Sequence, residues 1–141
     1  MTLLQAIAHM EGFYELGTRP QRNNSPGDLS WGLEAEEFGA THGDPRFAVF
    51  PNVATGWLAL QRWLSIPAKL VNHPVEGLFL DPNGTTLESG YLGATLAQVI
   101  HRFAPSSENN TDLYIATVAK NTGLTPSTRI TSFLLETPEA S

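Results

Sequence analysis

The chain has 141 residues and no cysteine, with eight Lys and Arg against fourteen Asp and Glu for a formal net charge of −6. That length suits one domain, expected to span residues 1–141, and lets folding bury roughly two thirds of the open chain's surface without a covalent staple. The missing thiols exclude disulfides and thiolate metal sites, and an acidic balance without a basic stripe excludes a nucleic-acid backbone as partner.

Met1-Thr2-Leu3-Leu4-Gln5 lacks the charged lead and apolar run of a signal peptide, and no apolar stretch is long enough to span a bilayer. A soluble protein with no membrane partner is expected. The first helix is predicted from Thr2 to Glu11, capped by Thr2 and ended by Gly12, with Leu4, Ile7, Ala8 and Glu11 on one face. Residues 15–30 read as a loop, and Ser25-Pro26-Gly27-Asp28 has the residues of a type II turn. Arg46 to Phe50 alternates between two proline-marked breaks and is predicted as a short strand, paired with Leu29 to Leu33 in a small hairpin.

Asn52 caps a second predicted helix, about 53–65, with a stripe of Val53, Trp57, Leu60 and Leu64 and a stop at Pro67. Residues 66–90 read as irregular, with turns at Pro74, Asp81-Pro82-Asn83-Gly84 and Gly90. A third helix follows Thr95 to about Ala104, with Leu96, Val99, Ile100 and Phe103 inward. A fourth, capped by Asn109, Asn110 or Thr111, carries Tyr114, Ile115, Val118 and Ala119 to Gly123. A short fifth is expected near Ser127 to Leu135, before a frayed tail from Thr137 to Ser141. Helices with one small hairpin make an α+β domain, mainly α-helical.

Glu11 is the residue richest in chemical meaning. It shares the apolar face of the first helix and sits at the C-terminal end, where the macrodipole disfavours negative charge by a few tenths to about one kcal/mol. Desolvation and dipole together would raise its pKa and keep it protonated near neutral pH, as a glycosidic general acid requires. The plainer alternative is a solvated carboxylate at a helix end.

Glu11-Gly12-Phe13-Tyr14 is followed by Gln21-Arg22-Asn23-Asn24-Ser25-Pro26-Gly27-Asp28. Further on come Phe47-Ala48-Val49-Phe50-Pro51 with Gly56-Trp57-Leu58-Ala59-Leu60, then Phe103-Ala104-Pro105-Ser106-Ser107-Glu108-Asn109-Asn110-Thr111 with Tyr114-Ile115 and Ala119-Lys120-Asn121-Thr122-Gly123. In this order the stretches resemble phage-type lytic transglycosylases and virion-associated peptidoglycan-degrading domains, relatives of goose-type lysozymes. Ser25 and Asp28 stand where that family has Asn.

The resemblance implies a lysozyme-like fold and cleavage of peptidoglycan between N-acetylmuramic acid and N-acetylglucosamine, with Glu11 as acid and base. A lytic transglycosylase is the first expectation. A hydrolytic muramidase or glucosaminidase and a non-catalytic glycan-binding or virion structural module are the alternatives. It also implies a protein that is cytoplasmic until release, or virion-associated, and acts on the cell wall; a monomer is expected.

A hydrolase that inverts would need a second carboxylate about 6.5–9.5 Å from the first. Glu34, Glu36 and Glu37, after Trp31, are the candidates, though three adjacent acids are more often a solvated patch. Asn23 and Asn24 suit N-acetyl and hydroxyl groups or the scaffold of their own turn, and Arg22 suits substrate or a loop carboxylate. Tyr114 reads as a core tyrosine by pattern and as a second catalytic group by resemblance. Tyr14, Trp31 and Tyr91 lie off the core stripes and are expected to stack on sugars, while Asn109 caps a helix or contacts glycan. The four His residues lack ligand spacing, and neither a Gly-x-Ser-x-Gly elbow nor a phosphate loop occurs, so no metal and no cofactor are expected.

Overall fold

The computed structural model describes residues 1–72 and 85–138. The architecture is α+β and mainly helical, with six α-helices, two two-stranded antiparallel hairpins and one 3-10 turn among the described residues. The chain forms two compact units: residues 1–63 with the segment from Leu135 on, and Leu64–Leu134.

In the first unit, helix α1 (Leu3–Glu11) starts where expected because Thr2 and Gln5 form a reciprocal capping box. It buries Leu3, Leu4, Ala6, Ile7 and Ala8, and full burial of a side chain such as Leu4 or Ile7 contributes roughly 1.5–3 kcal/mol. Gly12 ends it with φ 84°, a left-handed conformation that costs a residue without a Cβ nothing.

The predicted loop 15–30 contains a four-residue helix, α2 (Arg19–Arg22), nucleated by Pro20 in its first turn. A second short helix, α3 (Leu33–Glu37), follows. The predicted strand narrows to β2 (Ala48–Val49), and its ladder partner is β1 (His42–Gly43) rather than Leu29–Leu33. The Asp44-Pro45 turn brings β1 back onto β2, and the expected pairing with the earlier segment is present as the antiparallel bridge Ser30 to Phe47, flanked by Trp31 N–H to the Arg46 carbonyl at 2.7 Å and Ala48 N–H to the Leu29 carbonyl at 2.8 Å. Helix α4 (Val53–Leu64) is capped by Asn52, which accepts the Thr55 N–H at 2.8 Å, and it buries Trp57, Ala59 and Leu60. Gln61 donates to the Leu135 carbonyl at 2.8 Å and ties the returning chain to this unit.

The second unit corrects the expectation of irregular structure over 66–90. Strands β3 (Lys69–Val71) and β4 (Thr86–Ser89) pair antiparallel, with a register shift between Lys69 and Leu70. The turns expected at Pro74 and at Asp81 to Gly84 lie outside the described residues. Helix α5 (Leu96–Phe103) opens with a Thr95/Gln98 capping box, and α6 (Thr111–Thr122) is capped by Asn110 and ends at Gly123 with φ 76°. The buried Thr111 hydroxyl donates to the Ala104 carbonyl at 2.6 Å and joins the end of α5 to the start of α6. Leu96, Val99, Ile100, Tyr114, Ile115 and Val118 are buried.

The expected fifth helix shrinks to the 3-10 turn Ser132–Leu135. Its expected first half instead bonds back to the start of α5 and the residues just before it, through Leu96 N–H to the Thr128 carbonyl and Ile130 N–H to the Ala94 carbonyl, both 2.8 Å. In the expected frayed tail, Thr137 and Pro138 are half-buried.

Candidate active site

The first unit holds the Glu11 corner. Glu11 is the last residue of α1 and is half-buried. After it the chain runs out through Gly12, Phe13, Tyr14, Glu15, Leu16 and Gly17, then returns. The neck of this loop is tied by Thr18, whose hydroxyl donates to the Gly12 carbonyl at 2.7 Å and to the Glu15 carbonyl at 3.0 Å. Because Glu11 and Arg19 flank the tied residues, the closure brings the end of α1 back toward the start of α2, and the Glu11 carboxylate lies within electrostatic reach of the Arg19 guanidinium.

Arg19 is fixed from two further sides. Its Nε reaches the two Asp28 carboxylate oxygens at 3.0 and 3.1 Å and its Nη2 reaches one at 2.5 Å, a planar fork on a carboxylate. Its guanidinium carbon lies 3.5 Å from the centre of the Phe47 ring, within cation–π range. Asp28 first, and Glu11 more weakly, push the Arg19 pKa above its ordinary value against partial desolvation. Arg22 donates to the Gly17 carbonyl at 2.5 Å, so it braces the loop, and the arginine that pairs with a loop carboxylate is Arg19.

The segment after α2 is locked to its surroundings by its backbone. The Phe50 N–H donates to the Asn23 carbonyl at 2.9 Å, and Asn24 Nδ2 donates to the Phe50 carbonyl at 3.1 Å. The buried Ser25 hydroxyl accepts the Leu29 N–H at 3.0 Å, and the Asp28 N–H closes a turn on the Ser25 carbonyl at 2.8 Å. That turn is not type II. Gly27 avoids the left-handed region and Asp28 takes it, with φ 48°, as Asn24 does with φ 53°. Asn and Asp tolerate this conformation best among residues with a Cβ. Gly27 is there for space, since a Cβ would lie 2.7 Å from Leu60 Cδ1.

Ser25 and Asp28 therefore have local roles. Ser25 closes its own turn, and Asp28 holds Arg19.

Asn23 is buried, 6% exposed, and its amide nitrogen has no hydrogen-bond partner. A buried donor left so costs roughly 1–3 kcal/mol, a cost that folds retain mainly where a ligand or water can relieve it. Asn24, by contrast, acts as scaffold.

Of the three predicted stacking aromatics, two present a face. Tyr14 is 52% exposed, meets the Phe13 ring edge-on at 5.3 Å, and has its hydroxyl pKa pushed up by partial burial. Phe13 in turn meets the buried Trp57 at 5.5 Å. Trp31 is 37% exposed and lies against Gly43, where a Cβ would come within 2.6 Å of its ring. Tyr91 is a correction: it belongs to the second unit and is buried, with its backbone N–H held by the Ile66 carbonyl at 2.8 Å, so it has no free face.

The acids considered as a second carboxylate, Glu34, Glu36 and Glu37, sit on α3 and are all exposed. Tyr114 lies in the second unit and is 3% exposed. Asn109 is exposed in the turn before α6 and donates to the Pro105 carbonyl at 3.4 Å, leaving Asn110 as the cap. Among the described residues no three His, Asp or Glu side chains gather as a metal site.

The corner thus brings together Glu11, Arg19, Asp28, Phe47 and the Tyr14 loop on one rigid support. It offers a half-buried carboxyl group within electrostatic reach of a clamped positive charge, at the base of a loop that displays an exposed aromatic ring. No model of a known protein family matches the chain, and a search of characterised proteins finds no match to it.

Proposed function

We propose that the chain is a peptidoglycan lytic transglycosylase of lysozyme-like fold, with Glu11 as its acid and base. The observation that carries this reading is the position of Glu11, half-buried at the end of α1 and joined through a tied loop to the rigid Arg19–Asp28 segment.

In the first step the Glu11 carboxyl gives its proton to the oxygen between N-acetylmuramic acid and N-acetylglucosamine. The bond from the muramic C1 to that oxygen breaks, the N-acetylglucosamine end leaves as an alcohol, and an oxocarbenium-like centre develops at C1. In the second step the Glu11 carboxylate takes the proton of the sugar's own C6 hydroxyl while O6 bonds to C1. The product is an anhydro ring, Glu11 is restored, and no water is consumed. One carboxylate serves both steps, which agrees with the exposed position of Glu34, Glu36 and Glu37. Tyr14 and Trp31 offer ring faces for sugar.

Glu11→Gln keeps the shape of the side chain and removes its proton. Purified sacculi are expected to clear with the wild type and to lose at least about a hundredfold in rate with the variant, the scale of general-acid catalysis. Undiminished cleavage by the variant would refute the assignment. Mass spectra of the products distinguish anhydro ends from hydrolytic ends, which carry one more water.

The positive charge of Arg19 beside Glu11 favours a second reading, in which an ionised Glu11 accepts hydrogen bonds from sugar hydroxyls in a non-catalytic glycan-binding module. Binding to sacculi without any soluble product would support it.

A further inference from the structure

We propose that Arg19 is the positioning residue of this site: clamped by Asp28, stacked on Phe47 and brought to the neck of the Gly12–Thr18 loop, it holds its charge beside Glu11 and stabilises the carboxylate that appears once the proton has left. The inference rests on the transglycosylase reading and adds to it the group that makes proton release from Glu11 easier.

Three observations converge on it. The Thr18 hydroxyl, 2.7 Å from the Gly12 carbonyl, draws together the backbone positions next to Glu11 and Arg19 although seven residues separate the two in sequence. The fork on Asp28 and the Phe47 ring at 3.5 Å fix the guanidinium against the loss of rotamer freedom that usually weakens a surface arginine. Asp28 keeps only 8% of its side chain exposed, so the far end of the clamp is shielded from water while Arg19 keeps 45%.

Other charged side chains on the elements of this corner, among the described residues, include His9 in the last turn of α1, Glu15 in the loop, Arg22, Asp28, and Arg46, whose guanidinium lies 5.4 Å from the Phe47 ring centre. Arg19 is held by both a carboxylate and a ring, whereas Arg46 meets the ring alone at a longer distance. Its positive charge is felt at Glu11, since Glu11 adds to the stabilisation of the protonated guanidinium and the attraction is mutual.

A general acid is active while protonated, so the alkaline limb of the pH–rate profile for sacculus cleavage reports the ionisation of Glu11. Removing a neighbouring cation makes that ionisation harder. Arg19→Gln is expected to move the alkaline limb upward by about one pH unit and to lower the maximal rate, while Arg19→Lys, which keeps the charge, leaves the limb near its wild-type position. A merely structural role would lower the amount of folded protein and leave the limb in place.

A limb that Arg19→Gln does not move, in an active and folded enzyme, overturns the proposal while the transglycosylase reading stands. A wild-type protein that never cleaves glycan overturns both. If Arg19→Gln does not fold, NMR on the wild type and on Glu11→Gln takes its place. The Arg19 Nε–H resonance should follow a titration step that is missing from Glu11→Gln, and a resonance indifferent to that substitution overturns the proposal.

Discussion

Gly56 lies in the first third of α4, and its lack of a side chain is what seats the Asn23–Asp28 segment. A Cβ built at Gly56 would lie 1.8 Å from the Asn24 carbonyl oxygen and 2.9 Å from Pro26 Cδ. Ordinary contact needs about 3.4 Å or more, so helix and loop backbones would have to part by more than an ångström. The loop cannot yield cheaply, because Asn23, Asn24 and Ser25 are hydrogen-bonded to Phe50, Leu29 and the Pro20 carbonyl.

By helix propensity alone, Gly56→Ala would stabilise the protein by about 1 kcal/mol. Overpacking against fixed backbone costs about 1–3 kcal/mol or more, and the loop bonds lost in relieving it add to that. The net expectation is destabilisation by about 2 kcal/mol, a fall in Tm of roughly 6 °C. Differential scanning calorimetry on the variant reads this directly. Ala54→Gly, at an exposed position of the same helix, is the control and should cost only the propensity difference. A Gly56→Ala protein as stable as the wild type, or more stable, would refute the account of how this segment is held.

Elsewhere, Thr111→Val keeps the shape of a buried side chain and removes the hydrogen bond to the Ala104 carbonyl, so it should cost about 1.5 kcal/mol, and a Tm within a degree of the wild type would refute that role. His101 has its pKa lowered by desolvation, which outweighs the opposing pull of Asp112. Between the lowered folded value and the ordinary 6.5, the unfolded chain binds more protons than the folded one, so this contribution is complete above about pH 6.5 and is lost as pH falls through the folded pKa. Urea midpoints at about pH 7.5 and about pH 5.5 should therefore differ less in His101→Gln than in the wild type, and equal differences would contradict the burial argument.

Long helices were legible in the sequence because each carried both a stripe and a cap: Thr2 with Gln5, Asn52, Thr95 with Gln98, and Asn110. Short helices were not. Arg19–Arg22 is too brief to show a period, and Leu33–Glu37 displays Leu33 at 85% exposure with no apolar face to read. The second hairpin escaped notice because Lys69 and Leu70 are exposed, which leaves β3 without an alternation.

At the candidate site, the position of Glu11 at the end of its helix followed from local spacing. Its neighbour did not follow. Choosing between Arg19 and Arg22 as the partner of Asp28 depends on the direction each leaves α2, and that helix was not foreseen. Tyr91 looked available because it lies on no helix, yet backbone bonds from residue 66 draw it into the interior.

The tie between Thr18 and Gly12 separates what the loop holds from what it displays. Tyr14 and Leu16, the latter 94% exposed, ride beyond the knot, while Glu11 and Arg19 stand below it. A change of side chain at Tyr14 or Leu16 leaves in place ties that run to backbone carbonyls. The part of the surface that chooses what to touch can diversify while the pair beneath it keeps its register.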